Sequence, residues 1–256
     1  MINKKENRKS AEVCNSFELT ASQRINAKEL WYILGLIEGE GSLSCYKEDS
    51  NISAEIIIEL HLSDIKLLYW IKRQLGVGSI SVVHPKDVAR LSIKSKNKIL
   101  EIINIWENPL TKVKKIYLFW LKSCLDKNLI LPKPSLDSLS ATVNLGDNKY
   151  IKDWIVGFIE AKGSFNLNKN LIAGFNITQK NDKELLKTIG DIIGLSDIKD
   201  NKLTAISLVD IQAVITFMTN PERVRLKGIK RVKFLKWIKE MRNMPRYAGL
   251  KIPEKY

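Results

Sequence analysis

Any phosphoester chemistry in this chain turns on two residues at the ends of near-identical helical runs. The stretch WYILGLIEGEGSLS (31–44) passes Glu38 and Glu40 and stops at Gly41. WIVGFIEAKGSFNL (154–167) passes Glu160 and Lys162 and stops at Gly163, so the two runs match at a constant offset of 122. Small residues recur four apart in each, Gly35 and Gly39, then Gly157 and Ala161. That spacing puts them on one stripe and lets two helix backbones approach closely. If the helices pack on a pseudo-twofold axis, Glu40 and Lys162 flank one central point. Two acids there would hold divalent ions, which activate water and stabilise the leaving oxygen of a phosphodiester. A lysine reverses that logic, because an ammonium cannot ligate Mg²⁺. Instead it attracts the facing carboxylate by roughly 4 kcal/mol at ~4 Å and an effective dielectric of 20. Even a deprotonated lysine is a poor Mg²⁺ ligand. Glu160 does not substitute, since two residues along a helix it points some 200° round the axis; a cap or surface position is expected for it.

The repeat continues beyond these runs. LHLSDIKLLYWIKRQLG (60–76) resembles TQKNDKELLKTIGDIIG (178–194), and VKKIYLFWLK (113–122) resembles KRVKFLKWIK (230–239). Three blocks in one order define two copies of a unit of ~120 residues. Alternating segments at 42–46, 55–61 and 89–95, and at 164–168, 174–179 and 203–208, read as strands with one buried and one polar face. The segments after Asp64 and Asp182 have helical apolar spacing, an Asp suited to N-capping and a closing Gly. Further helices are expected over 97–106 and 210–219, then 113–125 and 229–243. The stretch 129–148, rich in Pro and Ser, reads as a linker. The expected organisation is a loosely ordered leader over 1–25, one half over 26–128, the linker, and a second half over 149–256 with a basic tail.

Composition narrows the partner. The net charge is +14, and residues 221–256 carry twelve Lys/Arg against three Asp/Glu. A polyanion is implied, nucleic acid or an anionic surface. Cys14, Cys45 and Cys124, with His61 and His84, lack metal-ligand spacing, so neither a zinc site nor a disulfide framework is expected. No apolar run reaches the ~18 residues of a membrane span. A pseudo-twofold molecule suits a nearly palindromic ligand, and polar sheet faces can read base edges in a major groove.

The motifs ILGLIEGEGSL and IVGFIEAKGSF, doubled and followed by doubled strand and helix blocks, resemble the signature helices of single-chain LAGLIDADG homing endonucleases and group I intron maturases. The resemblance covers residues 30–256, and the closing RYAGLKIPEKY is similar to fungal mitochondrial proteins of cytochrome b and cytochrome oxidase introns. It implies an α+β fold of two αββαββα subdomains, with saddle-shaped antiparallel sheets and a central two-helix interface formed by Gly35, Gly39, Gly157 and Ala161. Carried over by position, the metal-binding acid falls on Glu40 and on Lys162, with the Gly39 and Ala161 carbonyls as further metal ligands. Gln179 is the peripheral polar residue of the site, with His61 opposite, and Lys230 is the basic residue near the scissile phosphate. Its first-half counterpart is Val113, between Lys112 and Lys114. The nucleic-acid-binding set implied is His61, Arg90, Lys94, Lys112, Lys114, Asn166, Asn168, Asn176, Gln179, Lys227 and Arg231. Trp237 and Tyr247, interleaved with basic residues between Arg223 and Lys255, are a candidate part of an RNA surface, although Trp237 matches Trp120 in the repeat, and both of those read better as core than as stacking platforms.

The leading expectation is a splicing cofactor for group I intron RNA, a monomer with internal pseudo-twofold symmetry in the mitochondrial matrix. The alternative is a site-specific DNA endonuclease, using Mg²⁺ wherever cleavage remains and crippled by Lys162. A DNA-binding repressor on the same scaffold is a third class.

Overall fold

The structure, a computed structural model, describes residues 26–106, 111–135, 149–168 and 170–256. The leader expected over 1–25, and positions 136–148 of the expected linker, lie outside the described residues. The first half runs α1 (Ala27–Glu40), β1 (Gly41–Glu48), β2 (Asn51–His61), α2 (Ile65–Leu75), β3 (Ser79–Val83), β4 (Val88–Ile93), α3 (Lys96–Ile105) and α4 (Lys112–Lys127). The second repeats it as α5 (Ile151–Lys162), β5 (Gly163–Leu167), β6 (Ala173–Thr178), α6 (Lys183–Ile193), β7 (Asp197–Lys199), β8 (Lys202–Ala205), α7 (Leu208–Thr219) and α8 (Ile229–Arg242). Each half is thus αββαββα with one further helix.

Two antiparallel four-stranded sheets result, ordered β1-β2-β4-β3 and β5-β6-β8-β7. In both, the strand that follows the central helix is an edge. Gly41 pairs with Ile58 and Gly163 with Ile177, so equivalent positions start equivalent ladders. The alternation read from sequence has a physical cause: Ile52, Ala54, Ile56 and Ile58 are buried beneath the helices, as are Ala173, Phe175 and Ile177. Their neighbours form the opposite, polar face.

The strands differ from expectation in two respects, and the cap expected at Asp64 in a third. β3 and β7 carry no sustained alternation and were not foreseen. They pair along β4 and β8, whose hydrogen bonds override weak local pattern. The strands expected to 95 and 208 end at Ile93 and Ala205, because Ser95 and Ser207 accept from Lys98 N and Asp210 N as helix caps. Asp64 makes no side-chain cap to α2; its carboxylate serves another helix, described below. Asp182 does cap α6, accepting from Leu185 N.

Of the aromatic residues in the basic tail, Trp237 is core, as its match to Trp120 favours, and Tyr247 is placed differently from the expected RNA surface. Trp237 packs on Phe165 and Phe234 and is 2% exposed. Tyr247 is equally buried, and its hydroxyl accepts from Ala173 N at 2.6 Å. Both are core, and basic side chains around them such as Lys233, Lys236 and Arg246 reach solvent. Among the described residues, no helix is long and apolar enough to cross a membrane.

Candidate nucleic-acid interface and central site

The middles of α1 and α5, Tyr32–Ile37 and Trp154–Ile159, are apolar and buried, and the helices' glycines fix how closely they lie. A Cβ on Gly35 would sit 2.1 Å from the Trp154 carbonyl oxygen, and one on Gly157 would sit 1.9 Å from that of Tyr32. One on Gly39 would meet the Ala161 Cβ at 2.2 Å. Backbone therefore packs against backbone through Gly35, Gly39, Gly157 and Ala161.

Reciprocal bonds lock this contact. Tyr32 Oη donates to Glu160 Oε2 at 2.7 Å, and Trp154 Nε1 donates to Glu38 Oε1 at 3.0 Å. Tyr32 and Trp154 are themselves related by the repeat. Burial and the Glu160 carboxylate hold the Tyr32 phenol well above its usual value, so it stays a donor.

Glu160 is not a surface residue. It is 6% exposed and accepts from Lys227 N at 2.7 Å, just before α8 begins. Desolvation raises its pKa, and the backbone bond from Lys227 and the Tyr32 hydroxyl oppose that rise. Glu38 does the same for α4, accepting from Thr111 N at 2.6 Å and from Trp106 Nε1 at 2.9 Å. A second acid reaches each helix from the opposite half. Asp64 accepts from Ile229 N at 2.6 Å, and Asp182 accepts from Lys112 N at 2.9 Å. Each final helix therefore starts on one carboxylate from its own half and one from the other. These four acids stabilise the positive helix ends. Sequence reasoning missed the arrangement, although the identical acids at matched repeat positions were its signal.

The caps aim lysines at the central point. Lys230 Nζ donates to the carbonyls of Glu160 at 2.5 Å and Ala161 at 2.6 Å. Lys114 Nζ donates to the Gly41 carbonyl. Lys114 therefore supplies in the first half what Val113, the residue in register with Lys230, does not. Burial lowers both lysines, Lys230 to about 8. Between them Lys162 Nζ lies 3.1 Å from Glu40 Oε1, with side chains 30% and 35% exposed. Of the expected metal ligands, the Glu40 carboxylate is engaged by an ammonium and the Ala161 carbonyl by another. Among the described residues no cluster of three His, Cys, Asp or Glu could hold a metal ion. These residues do not fit a pair of divalent ions.

A cleft of about 970 Å³ opens beside this point, lined by Gly39, Lys112, Lys114, Lys162, Gln179 and Lys180 among others. Gln179, just past β6, thus shares a cleft with Lys162. His61 ends β2 on the surface, its Nδ1 2.8 Å from Ser63 Oγ. Arg90 and Lys94 lie along the first sheet, paired to Glu59 at 2.6 Å and Glu55 at 4.0 Å. Lys112 pairs with Glu184 at 3.1 Å. Asn166 and Asn176 stand on β5 and β6 of the second sheet, and Arg231 in the first turn of α8. Two expected contacts are used elsewhere. Asn168 Oδ1 accepts from Asn170 N and Ile172 N at 2.9 and 2.8 Å, so it closes the β5–β6 turn. Lys227 pairs with Glu29 at 3.3 Å and lies 4.3 Å over the Trp70 ring, a packing position away from the sheets.

Two repeated halves, joined by glycine-packed helices whose ends meet between two antiparallel sheets, define the two-subdomain LAGLIDADG architecture. Residues 33–124 match the family model described as LAGLIDADG endonuclease. It is 26% identical over 245 residues to the probable intron-encoded endonuclease Cox1-I1b of Schizosaccharomyces pombe, covering 82% of this chain and 63% of that one. Over 191 residues it is 28% identical to the probable intron-encoded endonuclease aI3 of Dictyostelium citrinum, covering 68% and 78%. The chain spans less than two thirds of the length of the S. pombe relative. Among solved structures, the LAGLIDADG homing endonuclease I-GzeII in complex with its DNA target superposes with a TM-score of 0.65 at 19% identity, covering 89% of this chain and 94% of that one. I-SmaMI, bound to uncleaved DNA in the presence of calcium ions, gives 0.60 at 19% identity over 88% and 96%.

Proposed function

We propose that this protein is an intron-associated nucleic-acid-binding protein whose double-strand cleavage is disabled, and that it acts as a splicing cofactor for group I intron RNA. The observation that carries the reading is the Glu40–Lys162 ion pair at 3.1 Å, in the position where two acids would face each other. A folded group I RNA supplies its own catalysis, so its partner needs only to grip phosphates and shape. The +14 charge supports that role. Relatives named for cox1 introns support an intron-encoded protein working in mitochondria, as a monomer with two halves.

The protein's own residues bind and orient here. Arg90, Lys94 and Arg231 contact phosphates, Asn166 and Asn176 offer hydrogen bonds to the ligand, and Lys114, Lys162 and Lys230 lie at the centre. The test is splicing of the host intron RNA with and without purified protein, alongside a supercoiled plasmid carrying the cognate site in Mg²⁺. Faster splicing with an intact plasmid is expected. Linear plasmid, with no effect on splicing, would instead establish a site-specific endonuclease, and nicked circles would show Glu40 serving one strand. Lys162→Glu is expected to restore cleavage if Lys162 alone is the defect.

A further inference from the structure

The central point of this fold, where a divalent cation is expected, has become a site for an anion. We infer that the cluster of Lys114, Lys162 and Lys230 around Glu40 takes a backbone phosphate of the bound nucleic acid directly, with no divalent ion between them. This rests on the reading of the partner as nucleic acid, and not on whether that partner is RNA or DNA.

The sign of the local charge decides the matter. The C-terminal ends of α1 and α5 meet here, and each contributes about half a negative charge through its free carbonyls. With acids at both position 40 and position 162 the point would be strongly negative, and a phosphate could approach only behind a metal ion. In this chain one acid is gone and an ammonium replaces it. Lys230 serves the carbonyls of Glu160 and Ala161 at 2.5 and 2.6 Å, and Lys114 serves that of Gly41. The helix ends are thereby neutralised, and Lys162 neutralises Glu40 at 3.1 Å. The buried Glu38 and Glu160 carboxylates also act on Lys114 and Lys230, and each is held by a backbone N–H that opens α4 or α8. What a ligand meets in the cleft is Lys112, Lys114, Lys162 and Lys180 against the one buried carboxylate of Glu38. Lys162 and Glu40 remain about a third exposed, so the charge is open to a ligand. The cleft lined by Lys112, Lys114, Lys162 and Gln179 gives a phosphate room to enter.

A cation site and an anion site make opposite demands on Glu40. The probe is a random-sequence DNA duplex, followed by fluorescence anisotropy in EDTA and in Ca²⁺, since phosphate contacts are independent of sequence. The native protein is expected to bind with affinities within about twofold in the two buffers. Glu40→Gln should bind several-fold tighter, because it removes the exposed carboxylate that holds Lys162. Lys162→Met should bind more weakly, with a salt slope shallower by roughly one. Lys162→Glu should lose at least about tenfold in EDTA and regain it in Ca²⁺. Thermal melts of each variant confirm folding, and the two neutral substitutions keep the test readable if the charge reversal fails to fold. A native protein whose affinity falls about tenfold in EDTA overturns the inference, as does a Glu40→Gln variant with unchanged or weaker binding. Plasmid cleavage by the native protein would sink the cofactor reading without touching the EDTA comparison. Metal-dependent binding without cleavage or loss of splicing activity would sink only this inference.

Discussion

Gly157→Ala tests whether the two halves are held together by backbone contact. The new Cβ would lie 1.9 Å from the Tyr32 carbonyl oxygen and 2.7 Å from its carbonyl carbon, where an ordinary contact begins at 3.4 Å. Backbone cannot swing aside as a side-chain tip can, so α1 and α5 must part by about 1.5 Å. That displacement carries the Tyr32–Glu160 bond at 2.7 Å and the Trp154–Glu38 bond at 3.0 Å beyond hydrogen-bonding range. Each links a buried donor to a charged acceptor and is worth about 1.5–3 kcal/mol. Overpacking adds about 1–3 kcal/mol, while alanine returns about 1 kcal/mol of helix propensity. The net loss is about 3–8 kcal/mol, which lowers the Tm of a chain this size on the order of 10 °C. Gly249→Ala is the control, since a Cβ there meets nothing within 4 Å. Differential scanning calorimetry of the two variants beside the native protein measures the effect. A Gly157→Ala melt within about 2 °C of native would refute the backbone-contact account of the interface.

Other consequences follow from the same geometry. Asp64→Ala leaves the Ile229 N–H uncapped from across the halves; a loss of about 1–2 kcal/mol is expected in urea unfolding, and an unchanged midpoint would show that the cap contributes nothing. Burial brings Lys230 from 10.5 to about 8. The unfolded chain holds that proton up to about pH 10.5, so stability should rise with pH between about 8 and 10.5, its burial cost being fully present below 8. Nucleic-acid affinity should fall as pH rises through about 8, where the folded protein loses that charge, and Lys230→Met should flatten both profiles relative to native. Arg90→Ala removes an exposed pair with Glu59, whose side chains are 40% and 46% exposed. Stability should change by less than about 0.5 kcal/mol, whereas duplex binding should weaken, and the reverse pattern would place Arg90 outside the interface.

The sequence by itself determined the repeat, the helix–strand junctions at Gly41 and Gly163, and the meeting of positions 40 and 162. Those follow from periodicity and from small residues at helical spacing, which constrain local geometry without knowledge of distant partners. Glu40 and Lys162 could be read as opposite ions because a twofold relation between two copied helices leaves them few places to go. The tertiary structure alone decided what the remaining acids do. Asp64 looks like the cap of the helix it precedes and instead caps α8, 165 residues away. Glu160 and Glu38 are interior because their carboxylates meet backbone N–H groups and ring donors contributed by remote segments. Lys114, and not its neighbour Val113, matches Lys230 across the centre because a long side chain can span one position of register. Tyr247 and Trp237 sit among basic residues in the chain yet inside the core in space. Local pattern reports which face of an element is apolar; it does not report which remote donor a buried carboxylate will find, and in this molecule those long-range pairings set the charge at the centre.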